Sequence, residues 1–376
     1  MKICIVAFSN HLECCLSALN PNVDIAAIIV DNPKAAKLII KKFNLSEDVV
    51  QPYFNLEECV KNLDYDYIVV SLRWSMFSET VINDLKALNL PRNKFVNLWD
   101  LDKPEHVSAL TVLMNFYTQN STAFNTFITG NSQFVYGIDI NQLSMPTINF
   151  SRGSQDLYYD YLIAKKILQQ ENIFDYAIIG LSLYSFNWDV SQSFQENWRL
   201  LQWYLYFRDL HNYWINVENY TQLFNEKFIN GGFLLSLEVD FNDVYKEKNS
   251  RKMSIFERLN TKKVFDRWNK KYFPKTVEEN KAILNNYLKL CEENKIEPVI
   301  VLPPIMKECQ HLILKDRSDE FYSTINEILK NHSSAKFVDA TIFDDLIEDD
   351  FCDCYHLNKN GAEKFSQMLS QQIFGY

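Results

Sequence analysis

Short apolar runs alternate with helical patterns along the first hundred residues of this chain. The apolar runs at 2–8, 24–30, 65–70 and 94–99 have the length of buried strands. Residues 33–43 have a helical pattern that begins with a proline, which suits the first turn of a helix. Strands that alternate with helices favour a parallel sheet with helices on both faces. We therefore predict an α/β domain over residues 1–103.

The same alternation returns further along the chain. We predict strands at 126–129, near 146–150, and at 176–180, 298–304 and 335–338. We predict helices at 105–119, 155–170 and 321–330, and one that begins at the capping-box pattern 276–279. The order and type of these elements predict a second doubly wound α/β domain over residues 104–376.

The alternation breaks between about residues 186 and 272, where five of the seven tryptophans lie. We predict that this segment is an inserted, mostly helical, aromatic-rich cap over the edge of the second sheet. Two roles stay open for its rings. They either pack the core of the insertion itself or line an acyl or sugar pocket.

The loop after the first strand is Ser9-Asn10-His11, and it lacks the glycine-rich pattern that holds the phosphates of a dinucleotide. We therefore predict no nucleotide cofactor. We expect His11 to be a partly exposed loop residue, and the alternative is that it contacts a ligand at the end of the strand. The pattern of elements resembles the small Rossmann-like modules found beside sugar- and polymer-modifying enzymes. A ligand-sensing role for this domain is one alternative.

Two short motifs contain the residue types of a nucleophilic active site. Gly130-Asn131-Ser132-Gln133 follows the apolar run 126–129, and Asp353-Cys354-Tyr355-His356 precedes a C-terminal helical pattern. A serine just past a strand lies at the carboxyl edge of the sheet, where α/β proteins bind ligands. A carboxylate three residues before a histidine can orient the imidazole as a general base. Ser132, His356 and Asp353 are thus the candidate nucleophile, base and orienting group.

The residues after His356 predict a loop that enters a capped helix. Asn360 is the predicted N-cap, and Glu363 lies at the third helical position. Apolar residues at 365, 368, 369 and 373 give this helix one face that can dock on the sheet.

With these motifs, the chain from 126 to 376 resembles the SGNH (GDSL-like) hydrolase and acyltransferase superfamily. The first block of that family, Gly-Asp-Ser, appears here as Gly130-Asn131-Ser132, with Asn131 in place of the acid. The last block, Asp-x-x-His, is matched by Asp353 and His356. The resemblance implies a flavodoxin-like, three-layer α/β/α fold. It is closest to a divergent bacterial branch that includes O-acyltransferases and esterases of cell-surface polymers.

The resemblance also implies an oxyanion hole. The second-block glycine corresponds to Gly153, and the third block, Gly-x-Asn, appears as Gly180-Leu181-Ser182. Ser132 and Gly153 would supply backbone N–H donors, and Ser182 stands where the family has an asparagine. Because one missing donor costs roughly 10²–10³ in rate, this departure bears on activity.

The implied function is a serine esterase or O-acyltransferase that acts on an acylated carbohydrate or glycan precursor. Asn131, Gln133 and Asn149 are candidate substrate-binding residues beside the motifs. Water as the acceptor would make the protein an esterase, and a sugar hydroxyl would make it a transferase. The altered first and third blocks leave open a catalytically inactive protein that keeps the fold and binds or scaffolds in surface-polysaccharide synthesis.

The amino-acid composition limits which partners the protein can bind and in which cellular compartment it is expected. A net charge of −10 argues against general nucleic-acid binding. The eight cysteines show no disulfide framework or zinc spacing, so we predict reduced thiols and no metal. The first strand is too short for a signal peptide, and no run approaches the roughly 20 apolar residues of a membrane span. We therefore expect a cytoplasmic protein without a transmembrane segment.

One segment departs from the acidic average. Residues 246–275 contain eleven Lys and Arg residues and only three acidic residues. A solvated helix face or a hinge is the simpler explanation. The alternative is a docking site for a phosphate-bearing substrate, such as a nucleotide sugar, a polyprenyl-linked glycan or an anionic lipid head.

Overall fold

The computed structural model of the chain describes residues 1–72, 76–98, 104–171, 173–230, 251–270 and 272–375. It divides into two compact units, Met1–Thr111 with Ser191–Val239, and Val112–Val190 with Asp240–Tyr376. Each unit contains one five-stranded sheet whose paired strands are all parallel. The predicted α/β class is therefore confirmed.

The strands, in chain order, are β1 (Lys2–Ala7), β2 (Asp24–Val30), β3 (Val50–Pro52), β4 (Tyr67–Ser71), β5 (Phe95–Asn97), β6 (Thr126–Thr129), β7 (Thr147–Asn149), β8 (Tyr176–Gly180), β9 (Glu297–Leu302) and β10 (Lys336–Asp339). The α-helices are α1 (Leu12–Ala18), α2 (Pro33–Ile40), α3 (Leu56–Asn62), α4 (Met76–Ala87), α5 (Pro104–Gln119), α6 (Ser132–Gly137), α7 (Leu157–Ile167), α8 (Leu200–Phe207), α9 (Val217–Leu223), α10 (Glu226–Ile229), α11 (Ile255–Lys270), α12 (Thr276–Glu293), α13 (Lys315–Leu329) and α14 (Lys359–Phe374).

The first sheet has the strand order β3-β2-β1-β4-β5. Its central strands are nearly continuous apolar runs, such as Ile3 to Ala7 in β1, and these side chains are almost fully buried. Because successive side chains point to opposite faces of a strand, burial of the whole run means that both faces are covered. His11 is also buried, with its ring 5.8 Å from that of Phe8, so the expectation of a partly exposed histidine was wrong.

Residues 191–230 belong to the first compact unit, whereas the sequence predicted an insertion of the second domain over 186–272. The reason lies at the edge strand β5, which leaves backbone carbonyls without a strand partner. Tyr213 and Trp214 both donate hydrogen bonds to the Phe95 carbonyl oxygen, each at 2.9 Å. Asn97 donates to the Phe194 carbonyl oxygen at 2.8 Å. The rings of this segment therefore contribute to the core of the first unit.

The second sheet has the order β10-β9-β8-β6-β7. Numbered from its first strand, this is the doubly wound order 2-1-3-4-5, in which the direction of strand addition reverses between β6 and β8 while all strands stay parallel. β6 is buried along its whole length, as the central position in a covered sheet requires. α7 packs on α12 and α14 packs on α6. The crevice expected for a ligand is at the carboxyl ends of β6 and β8.

Two predicted helix caps were wrong. The N-cap of α14 is Asn358, whose Oδ1 accepts a hydrogen bond from the Gly361 N–H at 3.2 Å, so the predicted N-cap Asn360 lies inside the helix. Thr276 is the first residue of α12 and not its cap, and the capping residue Lys275 makes no side-chain bond. Only at α14 does a neighbouring residue, Asn358, supply the side-chain cap in place of the predicted one.

None of the helices within the described ranges is long and apolar enough to cross a membrane. All eight cysteines fall in those ranges, and each is a free thiol.

Candidate active site

Ser132 follows β6, at the point where the order of the second sheet reverses. The strand ends at Thr129, and Gly130 then adopts a φ of 153°, which an L side chain rarely tolerates. A Cβ atom at Gly130 would lie 3.0 Å from the ring of Phe134 and 3.1 Å from the carbonyl oxygen of Gly180. Glycine therefore lets the chain turn tightly into α6, whose first residue is Ser132.

Asn131 caps α6 and fixes this turn. Its Oδ1 accepts a hydrogen bond from the N–H of Gln133 at 2.9 Å. Its Nδ2 donates to the hydroxyl of Ser182 and, at 3.4 Å, to that of Tyr184. Because Ser132 occupies the first turn, its N–H has no partner within the helix and points out of the helix start.

His356 lies on the loop that leads into α14. Phe351 and Leu357 form an isolated antiparallel bridge, which brings the two ends of this loop together. Inside the loop, the N–H of Cys352 donates to the His356 carbonyl oxygen at 2.9 Å, and the Cys352 thiol donates to the same oxygen at 3.4 Å. With Asn358 capping the helix beyond it, the backbone of His356 is held on both sides.

The structure brings the three residues of the predicted triad into one hydrogen-bonded chain. His356 Nε2 lies 2.8 Å from Ser132 Oγ, and His356 Nδ1 lies 2.8 Å from Asp353 Oδ2. The other carboxylate oxygen of Asp353 accepts the N–H groups of Tyr355 at 3.0 Å and of His356 at 2.9 Å. This is the arrangement of nucleophile, base and orienting carboxylate that activates a serine hydroxyl.

Asp353 is held in its charged form. Burial is the largest influence on its pKa and raises it. The nearby His356 and the hydrogen bonds from His356 and the backbone N–H groups outweigh burial, so the net pKa lies below the ordinary value. An ionised Asp353 accepts the Nδ1 proton of His356, which leaves Nε2 free to accept the hydroxyl proton of Ser132.

Two tyrosine rings flank the imidazole of His356. Tyr136 lies edge-on, with ring centroids 5.2 Å apart, and Tyr355 lies at 4.4 Å. Only 15% of the His356 side chain is exposed. The rings limit the rotation of the imidazole and keep it directed at Ser132. Tyr136 was missed from the sequence, although it lies four residues after Ser132 on the same helix face.

Gly153 lies in the turn that follows β7, the strand beside β6. The neighbouring Arg152 donates its N–H to the Gly130 carbonyl oxygen at 3.0 Å, which ties this turn to the one before Ser132. Among the residues that the structure describes, no hydrogen-bond partner is found for the N–H of Gly153. That N–H is therefore available as a donor, as the predicted oxyanion role requires.

Ser182 follows β8, on the other side of β6. It is 2% exposed, its N–H donates to the Ser185 hydroxyl at 2.9 Å, and its own hydroxyl oxygen accepts from Asn131. Because the oxygen is already engaged as an acceptor by the amide, the hydroxyl hydrogen points elsewhere and can be donated. The structure thus joins the side chains of Asn131 and Ser182 by a hydrogen bond.

The structure assigns different environments to the other predicted substrate-binding residues. Gln133 is 2% exposed and its Nε2 donates to the Tyr355 carbonyl oxygen at 3.4 Å, while its buried Oε1 has no partner among the described residues. Asn149 is buried in the strand, donates to the Phe134 carbonyl oxygen at 3.0 Å and accepts from the Ser151 N–H at 2.9 Å. These bonds stabilise the turn after β7 from within, and a role for Asn149 in substrate binding stays a prediction.

The cysteines beside His356 do not form a metal-ligand set with it in the described part of the chain. Asp353 and His356 are bonded to each other, and Cys352 donates to backbone carbonyl oxygens. The nucleophile arrangement therefore explains this motif without invoking metal coordination.

The basic segment 246–275 lies only partly in the described residues. Arg258 pairs with Glu348 at 2.8 Å, and Lys252 pairs with Asp349. These ion pairs balance some of the local positive charge, so phosphate docking on this segment stays a prediction.

No protein-family model matches the chain, and no curated protein matches it.

Proposed function

We propose that this chain is a serine-dependent esterase or O-acyltransferase and that its second unit is a divergent member of the SGNH superfamily. The observation that carries the proposal is the hydrogen-bonded chain from Ser132 through His356 to Asp353, with both links at 2.8 Å. The superfamily assignment is supported by a nucleophile after the first strand of a 2-1-3-4-5 sheet and by a histidine just before the last helix.

In the first half-reaction, Ser132 Oγ attacks the acyl carbonyl carbon while its proton passes to His356 Nε2. The tetrahedral intermediate collapses as the bond to the alcohol oxygen breaks, and His356 gives its proton to that oxygen. The products of this step are a free alcohol and an acyl group bound to Ser132. Asp353 orients the imidazole and stabilises its positive charge throughout.

In the second half-reaction, a water molecule or a hydroxyl group attacks the acyl-serine. His356 Nε2 removes its proton and then returns one to Ser132 Oγ. The backbone N–H groups of Ser132 and Gly153, with the hydroxyl of Ser182, are the proposed donors to the oxyanion in both halves. Water as the acceptor releases an acid, and a sugar hydroxyl yields a new ester.

The proposed substrate is an acylated carbohydrate or glycan precursor. Its support is the resemblance to the branch of the superfamily that acts on surface polymers. The catalytic proposal does not depend on this choice, because any activated ester can report on the serine.

The test is hydrolysis of p-nitrophenyl acetate and longer esters, together with fluorophosphonate labelling of Ser132. Ser132→Ala and His356→Ala should each reduce turnover by roughly 10³-fold or more. His332→Ala is a matched control, because His332 is also buried and its Nδ1 lies 2.9 Å from a Glu292 carboxylate oxygen in the same unit. Turnover in His332→Ala should stay close to that of the wild type.

An unlabelled Ser132, with esters hydrolysed no faster than by Ser132→Ala, would overturn the enzymatic proposal. The protein would then be a binding or scaffold protein that keeps the fold. If labelling occurs but no simple ester turns over, the acyl donor is specialised, and labelling lost in His356→Ala would still support the triad.

A further inference from the structure

A buried asparagine on α12 holds the loop that follows β8. Asn280 is 1% exposed. Its side-chain Nδ2 donates hydrogen bonds to three backbone carbonyl oxygens of this loop, those of Ser185 at 3.1 Å, Phe186 at 3.1 Å and Trp188 at 3.0 Å. An amide has only two N–H groups to donate, so at least one of them is shared between two carbonyl oxygens. A buried loop has no strand ladder to satisfy its carbonyl groups, and Asn280 supplies the donors instead.

The loop held by Asn280 includes Ser182, the side chain proposed as an oxyanion donor. The Ser182 N–H donates to the Ser185 hydroxyl at 2.9 Å, and the Ser185 N–H donates to the Ser182 carbonyl oxygen at 2.8 Å. The Ser182 hydroxyl accepts from Asn131, which caps the helix that begins at Ser132. Asn280 is therefore connected to Ser182 through a single residue, Ser185, whose carbonyl oxygen it binds.

The same loop is also bonded to the turn that contains Gly153. The indole Nε1 of Trp188 donates to the carbonyl oxygen of Ser154 at 3.0 Å. Ser154 has a φ of 62°, in the left-handed region that residues other than glycine rarely adopt. Backbone in this region persists only where surrounding contacts hold it. The indole of Trp188 provides one such contact, and Asn280 binds the carbonyl oxygen of Trp188.

We propose that Asn280 is a positioning residue for the proposed oxyanion hole. It fixes the loop 182–188, so that the Ser182 hydroxyl and the Gly153 N–H keep one geometry relative to Ser132. The inference rests on the proposed function for its catalytic consequence, and on the bonds described above for its structural one. Displacing reacting groups by about 1 Å can cost 10²-fold in rate, so a small relaxation of this loop is enough to slow the reaction.

The experiment compares Asn280→Ala with Asn285→Ala. The first substitution removes the amide that binds the three carbonyl oxygens of the loop. Asn285 is a matched control because it is a partly buried asparagine on the same helix. Its Nδ2 donates to the Lys281 carbonyl oxygen at 2.8 Å, and its Oδ1 lies 3.1 Å from His332 Nε2. Two quantities are measured: amide hydrogen exchange by mass spectrometry, and the rate at which a fluorophosphonate labels Ser132.

We expect amide hydrogens of Asn280→Ala to exchange faster than those of the wild type in peptides that cover residues 151–156 and 181–190. The fluorophosphonate should label Ser132 roughly 10²-fold more slowly in this variant. With p-nitrophenyl esters, kcat should fall while KM stays within about twofold, because oxyanion donors act mainly in the transition state. Asn285→Ala should match the wild type in labelling and in the exchange of both segments.

Two results would overturn the inference. In the first, exchange of both segments and labelling in Asn280→Ala equal those of Asn285→Ala. In the second, exchange is faster in Asn280→Ala but labelling and kcat are unchanged, because the loop would then be held without any effect on Ser132.

Hydrogen exchange separates this inference from the proposed function. If the wild type is never labelled, the enzymatic proposal fails, and faster exchange confined to the two segments would still support the role of Asn280 in holding them. If Asn280→Ala exchanges throughout the chain because it does not fold, Ser185→Ala replaces it. That variant keeps the Asn280 amide and removes only the hydroxyl that accepts the Ser182 N–H. Slower labelling of Ser132 in it would support the inference, and labelling at the wild-type rate would overturn it.

Discussion

The side-chain amide of Asn131 donates a hydrogen bond to the hydroxyl oxygen of Ser182, and both residues are almost fully buried. Under the proposed superfamily assignment, Asn131 stands where the SGNH motifs have an aspartate, and Ser182 stands where they have an asparagine. An amide at the first position supplies a donor, and a hydroxyl at the second accepts it and keeps its own hydrogen for another acceptor. The two departures are therefore chemically complementary.

Removal of the Ser182 hydroxyl tests whether it serves the oxyanion. We expect Ser182→Ala to lower kcat by about 10²-fold, the usual effect of losing one oxyanion donor, with little change in KM. Steady-state kinetics with p-nitrophenyl acetate measure both constants. Ser366→Ala is the matched control, since Ser366 is fully buried in the same unit and its hydroxyl accepts the Asp139 N–H at 2.7 Å. Equal kcat values for the two variants would show that the Ser182 hydroxyl does not donate to the oxyanion.

The complementarity of Asn131 and Ser182 predicts a coupled pair of substitutions. Asn131→Asp replaces the donor by an acceptor, so the Ser182 hydroxyl turns toward the carboxylate and is withdrawn from the oxyanion. We expect a loss of about 10²-fold in kcat. Adding Ser182→Asn restores a donor and should recover most of that loss in the double variant. A double-mutant cycle on kcat measures the coupling, and strictly additive effects would argue against it.

The lowered pKa of Asp353 makes the stability of the fold depend on pH. Because the folded-state pKa lies below that of the unfolded chain, ionised Asp353 stabilises the fold above the unfolded value, and this contribution is lost as the pH falls through the folded value. We expect the free energy of unfolding to differ between wild type and Asp353→Asn at about pH 7, and we expect this difference to shrink steadily as the pH is lowered below about 4. Urea unfolding over a series of pH values measures it. If the difference in unfolding free energy between the two proteins does not change with pH, the charge of Asp353 does not contribute to the stability of the fold.

Gly180 is predicted to be indispensable to the packing beneath the nucleophile turn. A Cβ atom there would lie 2.3 Å from the ring of Phe134, which follows Ser132 on α6. We expect Gly180→Ala to destabilise the protein by about 1–3 kcal/mol and to reduce esterase activity as α6 shifts. Gly137→Ala is the control, because its Cβ would meet only ordinary contacts at 3.7 Å. Thermal unfolding of Gly180→Ala and Gly137→Ala measures the loss of stability in each variant.

Local patterns predicted most of the strands and the contact between Asp353 and His356, because these depend on residues close together in sequence. The run 126–129 and the strand β6 coincide, and the Asp353-x-x-His356 spacing predicts the bond that the structure contains. β3 was missed because Val50–Pro52 is too short to show a period and ends in a proline.

Long-range pairing could not be predicted in this way. Nothing near Tyr213 or Trp214 indicates that both would donate to the carbonyl oxygen of Phe95, more than a hundred residues earlier. The same holds for Asp160, which belongs to a helix with a regular apolar face and yet is buried, accepting a hydrogen bond from Gln155 Nε2 at 2.7 Å. Buried polar networks depend on tertiary contacts, and the periodicity of apolar residues along the sequence does not predict such contacts.

The separation of Ser132 and His356 along the chain has a consequence for biosynthesis. The two residues are 224 positions apart, so a ribosome that has completed the serine must continue for roughly 10–45 s before the histidine emerges. During that interval the nascent chain carries Ser132 without the imidazole that could accept its proton. Under the proposed function, catalytic competence arises only after His356 has been synthesised and the helix that follows it, α14, has packed on α6.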